Sequence, residues 1–146
     1  MYLFLLPIVL VLGTHPNGDQ GDGARDELKK LQGTWRAESI QIGDKKTPDA
    51  SLKSFRLTIV DDNWSLSTGA AARKSKLKIN PSTDPKQLDL IDMVGGKERI
   101  VRCIYTIKGD TLTVCRPYMQ VDAARPTKFA ADEPFVGLSV WKRETK

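Results

Sequence analysis

The stretch 99–116, RIVRCIYTIKGDTLTVCR, reads as two β-strands, 99–107 and 111–116, joined at Gly109-Asp110. Glycine followed by aspartate accepts the tight, positive-φ backbone that a hairpin turn requires. A two-residue loop pairs Ile107 with Leu112 and sets Cys103 and Cys115 on opposite faces of the sheet. A three-residue loop would place the two thiols across from each other. The reading favours two free, buried thiols, since cysteine packs readily as a small apolar residue.

Working outward, the same pattern of short runs and turn residues recurs along the chain. Further strands are expected at 34–42, 55–60, 64–68, 74–79, 87–91 and 135–143, which makes eight in all. Alternate apolar residues, such as Phe55, Leu57 and Ile59 or Val136, Leu138 and Val140, place one side of a strand toward a core. The opposite positions of the last strand, Gly137, Ser139 and Trp141 among them, suggest that it is covered on both faces for part of its length. Gly43-Asp44, Asp61-Asp62-Asn63, 81–85 and Gly95-Gly96 supply the turns. One short helix is expected at 24–31, with Asp26 and Glu27 in its first turn, Lys29 and Lys30 in its last, and Leu28 and Leu31 on one side. No second sustained helical period follows. Eight strands in meander order can close into an antiparallel barrel and so remove their edges. Residues 118–125 and 130–134 are expected to form a long connection across its mouth.

Of the 146 residues, 58 are apolar, and 11 of those fall within the first 12 positions; the 133 residues from Thr14 onward hold the other 47, enough for one core. The run from Tyr2 to Leu12 is too short to span a bilayer as a helix and has the length of an export-signal core. Residues 1–13 are therefore read as a signal peptide, although no Lys or Arg precedes the run. Residues 14–23 are read as a flexible tether and 24–146 as the folded domain, placed in the periplasm or outside the cell. Contact with a membrane is expected only through an uncleaved leader.

The domain carries 23 basic and 16 acidic residues, and residues 73–102 hold 8 and 4 of these. Such an excess attracts polyanions. Nucleic acid is not expected as the partner, because no aromatic residue interrupts 73–102 to stack on bases. Lys74, Lys76 and Lys78 alternate with Ser75, Leu77 and Ile79, the pattern of a solvated strand face.

Leu31-Gln32-Gly33-Thr34-Trp35, together with Arg143 on the last strand, resembles the signature of lipocalins and their calycin relatives. The resemblance implies that Gly33 turns the chain into the first strand, that Trp35 plugs the closed end of the barrel, and that Arg143 lies across its indole. The blocks LKINPSTDPKQLDL (77–90), IYTIKGDTLTVC (104–115) and RPTKF (125–129) resemble a lipocalin-like domain family found largely in planctomycete bacteria. That family has no established activity, so the resemblance bears on the fold. Cys103 departs from its pattern, which has glycine before Ile-Tyr.

The only histidine, His15, precedes the folded part, so a Ser-His-Asp or Cys-His site has no base. Zinc has too few ligands, and Gly95-Gly96-Lys97 lacks the spacing of a phosphate loop. Neither a catalytic residue, a metal nor a cofactor is expected. Paired carboxylates (Asp89 with Asp92, Asp61 with Asp62, Asp132 with Glu133) fit turn and ion-pair duties better than glycoside cleavage. The expected function is non-catalytic binding of a small apolar or amphipathic ligand in the barrel, with Trp64 and Tyr105 in the cavity wall, Thr106 and Thr113 as polar anchors and Arg125 at the mouth. The alternative is an envelope module that holds an acidic polymer or a protein through its basic surface.

Overall fold

The computed structural model describes residues 22–118 and 122–145. The expected signal peptide and most of the expected tether lie outside the described residues. Helix α1 (Asp22–Leu31) begins two residues earlier than anticipated, so Asp22 occupies its first turn and Glu27 sits well inside it. The strands follow as β1 (Gly33–Ile42), β2 (Lys45–Lys46), β3 (Arg56–Val60), β4 (Asn63–Ser67), β5 (Ala72–Asn80), β6 (Lys86–Val94), β7 (Lys97–Lys108), β8 (Thr111–Pro117) and β9 (Val136–Arg143), with the four-residue helix α2 (Asp49–Leu52) ahead of β3. Each of β3 to β9 pairs antiparallel with its sequence neighbour, and β9 returns to pair with β1. The chain is therefore a closed eight-stranded antiparallel barrel, with β2 appended to the end of β1.

The 104–115 hairpin has the two-residue Gly109-Asp110 turn, with Ile107 opposite Leu112. Cys103 shares the inward face with Tyr105 while Cys115 faces out, and both thiols are free and buried.

Inside, Trp35, Leu57, Ile59, Leu88, Tyr105 and Leu112 are all but inaccessible and belong to one contiguous apolar cluster. On β9 the inward residues are Gly137, Ser139 and Trp141, which are buried, whereas Val136, Leu138 and Val140 are only half-buried. The alternation of the aliphatics therefore marks the outer face of this strand, the reverse of the expected one. The outer face is itself covered near Leu138, because its partner Cys115 lies beneath Ala130 of the connection.

The two ends of the barrel are built differently. β1 starts beneath α1, whose Leu28 and Leu31 pack on the core. The Gln32 side chain ties that end together: its amide nitrogen donates to the carbonyls of Leu28 and Asp61, and its oxygen accepts from the Asp61 N–H. β1 runs away from α1 and β3 runs back, so the connection 43–55 lies at the opposite end. There α2 inserts Leu52 into the same apolar cluster. Neither α2 nor the two-lysine β2 was anticipated.

Candidate functional site

Side chains on a strand alternate between faces, so the position of one buried residue assigns its neighbours. Tyr105 faces the interior; Thr106 and Thr113, a cross-strand pair, therefore face out, and they cannot anchor a ligand inside the barrel. Trp64 faces inward, opposite Ile59, and is buried in the cluster. The Tyr105 hydroxyl points to the helix end of the barrel, where it donates to Glu27 Oε1 over 3.3 Å. Arg125 and Ala130 of the long connection lie on the outer wall, while 131–135 stand beside 41–48 at the open end. Arg125 lies on that wall, donating to the Cys103 carbonyl over 2.7 Å and standing 2.8 Å from Asp89 Oδ1. Of the five expected ligand contacts, the structure brings only Trp64 and Tyr105 into the interior.

The expected closure trio does meet. Arg143 Cζ lies 4.1 Å from the centre of the Trp35 ring, and Gly33 at φ 122° lets the guanidinium pass beside it. The guanidinium also donates to the Gln32 and Lys30 carbonyls, and Nε reaches Asp110 Oδ1 over 3.1 Å.

Beside this seal, Glu27 is a buried carboxylate with three partners. Lys86 Nζ approaches Oε1 to 2.6 Å, Lys30 Nζ approaches Oε2 to 3.1 Å, and the Tyr105 hydroxyl completes the set. Burial alone would raise the carboxyl pKa, but the hydrogen bonds and charges of the two lysines bring it below its ordinary value. The same burial, with the Glu27 charge added, pushes the Tyr105 hydroxyl up. A cavity of about 290 Å³ opens next to this group, lined by Glu27, Ile79, Asn80, Ser82 and Lys86. The group anchors α1 to β6 and β7, and the two lysines more than offset the buried Glu27 charge.

At the other end the interior becomes polar and cationic. Leu77 faces in, so Ser75 and Arg73 do as well, and the same parity turns Lys74, Lys76 and Lys78 outward as expected. Leu88 and Leu90 place Asp92 inward, where its carboxylate accepts from Ser75 Oγ and, over 3.0 Å, from Arg73. Arg99, paired with Asp92, and Arg116, two residues beyond inward Val114, share that face. The Arg116 guanidinium stacks 4.5 Å from the centre of the Tyr118 ring, and its Nε is buried without a hydrogen-bond partner among the described residues. Tyr118 in turn lies against Gly137, where any Cβ would collide with the ring. Three arginines thus share the interior face at the open end with the Asp92 carboxylate.

Of the paired carboxylates, the fold separates Asp89 from Asp92. Asp89 faces out toward Arg125 while Asp92 faces in, Asp62 is held by Lys76 and Asp132 by Lys128. Among the described residues, no group of three His, Cys, Asp or Glu side chains is placed to hold a metal ion. A cavity of about 910 Å³ opens outside the apolar cluster, between 41–48 and 131–135. In the depth of the barrel Trp35, Leu57, Leu88, Tyr105 and Leu112 pack into one apolar cluster. Compared with known proteins, the chain matches no family model, no curated protein and no solved structure.

Proposed function

We propose that this domain is an exported, non-catalytic binding barrel, related to the lipocalin-like proteins, whose ligand is a small amphipathic molecule with an anionic head group held at the open end. The observation that carries this reading is the charge of the interior face there: Arg73, Arg99 and Arg116 against Asp92, with the buried Arg116 Nε unpartnered among the described residues. A buried guanidinium nitrogen without an acceptor is costly, and an anion that supplies one recovers that cost. The apolar part of such a ligand would lie over Leu66 and the Tyr118 ring, near Trp64, because the apolar cluster occupies the deeper interior.

Titration with dodecanoate and with dodecyltrimethylammonium, followed by calorimetry, tests this reading. Dodecanoate should bind and the cation should not, and Arg116→Gln should weaken dodecanoate binding by about ten-fold or more, the worth of a charge-assisted hydrogen bond. Equal affinity for both probes, or an unchanged Arg116→Gln variant, sinks it.

A second reading rests on the exposed outward stripe of Lys74, Lys76 and Lys78 on β5, which would suit an acidic polymer or protein. Salt-sensitive retention on dextran sulfate that vanishes when the three lysines are neutralised would favour it.

A further inference from the structure

Beyond Asp92, the β6–β7 hairpin stands clear of the barrel wall. Pairing of β5 with β6 ends at Lys76 and Ile91, and β8 joins β7 only from Ile104 onward, yet β6 and β7 stay paired to Val94 and Lys97. The chain turns there on Gly95 and Gly96, at φ 58° and 77°, and a Cβ on either would meet open space. All residues from 93 to 98 are exposed. A turn in water is ordinarily flanked by polar residues, but Met93 is 69% and Val94 53% exposed, two of the four large apolar side chains left open among the described residues.

The surroundings are cationic. Lys97 and Arg99 follow the turn, and Arg73 and Lys74 lie at the start of β5 on the same end of the barrel. Against these four stand Glu98 and Asp92, and Asp92 is already engaged by Arg73 and Ser75.

We propose that this hairpin tip docks the open end of the barrel on an anionic lipid surface, with Met93 and Val94 entering the acyl boundary and Lys97 and Lys74 lying at the head groups. Lipid fits better than an acidic polymer because only a hydrocarbon phase gives the exposed methionine and valine a lower-energy place. The basic side chains match the negative potential of such a surface. Docking in this orientation places Arg73, Arg99 and Arg116 next to the lipid, so an amphipathic ligand could pass between membrane and barrel; that last step rests on the proposed function above.

The test is co-sedimentation with vesicles of phosphatidylcholine alone and of phosphatidylcholine with phosphatidylglycerol in equal parts. The protein should sediment with the anionic vesicles only, and less so as salt is raised. Met93→Ser with Val94→Ser should reduce partitioning about five-fold or more, and Lys97→Glu should do the same. Both sites are exposed, so thermal unfolding should stay at the wild-type temperature. No sedimentation with anionic vesicles overturns the proposal, as does full retention of binding by the double serine variant. Equal capture by dextran sulfate, insensitive to the serine pair, would assign the surface to an acidic polymer and overturn it too. Dodecanoate binding by the serine variant in vesicle-free solution keeps the two questions apart: it should equal wild type whether or not docking fails.

Discussion

The Arg143 guanidinium lies over the Trp35 indole, its Cζ 4.1 Å from the ring centre, while donating to two carbonyls of the α1–β1 junction. One side chain from the last strand thereby fixes the first strand and the end of the helix at once. The Trp35 Nε1–H closes the loop from the other direction by donating to the Leu31 carbonyl over 3.0 Å. Arg143→Ala should cost about 2–4 kcal/mol, combining the lost cation–π contact with carbonyls left unpaired. Arg143→Lys should recover little, because an ammonium cannot both stack on the ring and fork to two carbonyls. Trp35→Ala should cost about 3–5 kcal/mol through the cavity it leaves. Urea unfolding of the two single variants and the double variant checks this, and the coupling energy should be about 1 kcal/mol or more.

Acid should loosen the same end through Glu27. Its folded pKa is lowered, so its contribution is fully present above the unfolded value near 4.5 and is lost as pH falls through the folded one. Glu27→Gln should therefore be less stable than wild type near neutral pH, by about 1–3 kcal/mol, and the gap should close as the pH is taken well below 4.5. Melting temperatures of both proteins across the acid range give the measurement. Parallel curves would show that the carboxylate charge plays no part in holding α1. Tyr105 acts on the alkaline side: its raised pKa means stability lost as pH climbs above the unfolded value of 10.0.

Much of this architecture is legible in the chain, and the reasons differ from element to element. Eight strands show because each short apolar run is bounded by residues such as Gly95-Gly96 or Gly109-Asp110 that force a turn. β2 is invisible, since two lysines carry no apolar signal, and α2 is too short for a period and is held chiefly by the burial of Leu52. On β9 the aliphatics occupy one parity and Trp141 the other, and cover on both faces makes either assignment plausible from sequence; only the pairing of Trp35 with Arg143 decides it. The site was less legible for a different reason. Thr106 follows inward Tyr105 and had to face out, a constraint present in the sequence. Inward Leu77, Val101 and Val114 fix Arg73, Arg99 and Arg116 by the same parity, although these arginines otherwise disappear into the general basic excess. Arg125 could not be placed this way, because a residue in a long connection has no alternation to constrain it.

The two thiols should differ in how they become reactive. Burial pushes Cys103 up to about 12, with the nearby Arg116 charge only partly opposing it, and it lies inside the barrel. Cys115 is also raised by burial, but its cover is the connection, where its Sγ–H meets the Ala130 carbonyl at 3.6 Å. Only thiolate attacks a disulfide reagent, so neither group should label quickly in the native protein near neutral pH. Denaturant without reductant should expose two. Arg125→Ala, which releases the connection from Asp89 and the Cys103 carbonyl, should speed labelling of Cys115 and leave Cys103 protected. Simultaneous labelling of both would mean that the connection is not a separable cover.

Gly137 tests the geometry of the open end most directly. It faces the interior of β9 at a backbone conformation that any residue could adopt, so its lack of a side chain answers to packing and not to φ. The Tyr118 ring occupies the space a Cβ would need, and that ring carries the Arg116 guanidinium on its face. Gly137→Ala should therefore displace Tyr118, at a cost of about 1–3 kcal/mol for overpacking against its ring. Because Arg116 leans on the ring, dodecanoate binding should fall with it. Tyr118→Leu in the Gly137→Ala background relieves the clash and should restore stability without restoring the stacked arginine. Calorimetric affinity and urea unfolding on the single and double variants separate the two effects. Recovery of both together would mean that the tyrosine ring only fills space and does not position Arg116 for an anion.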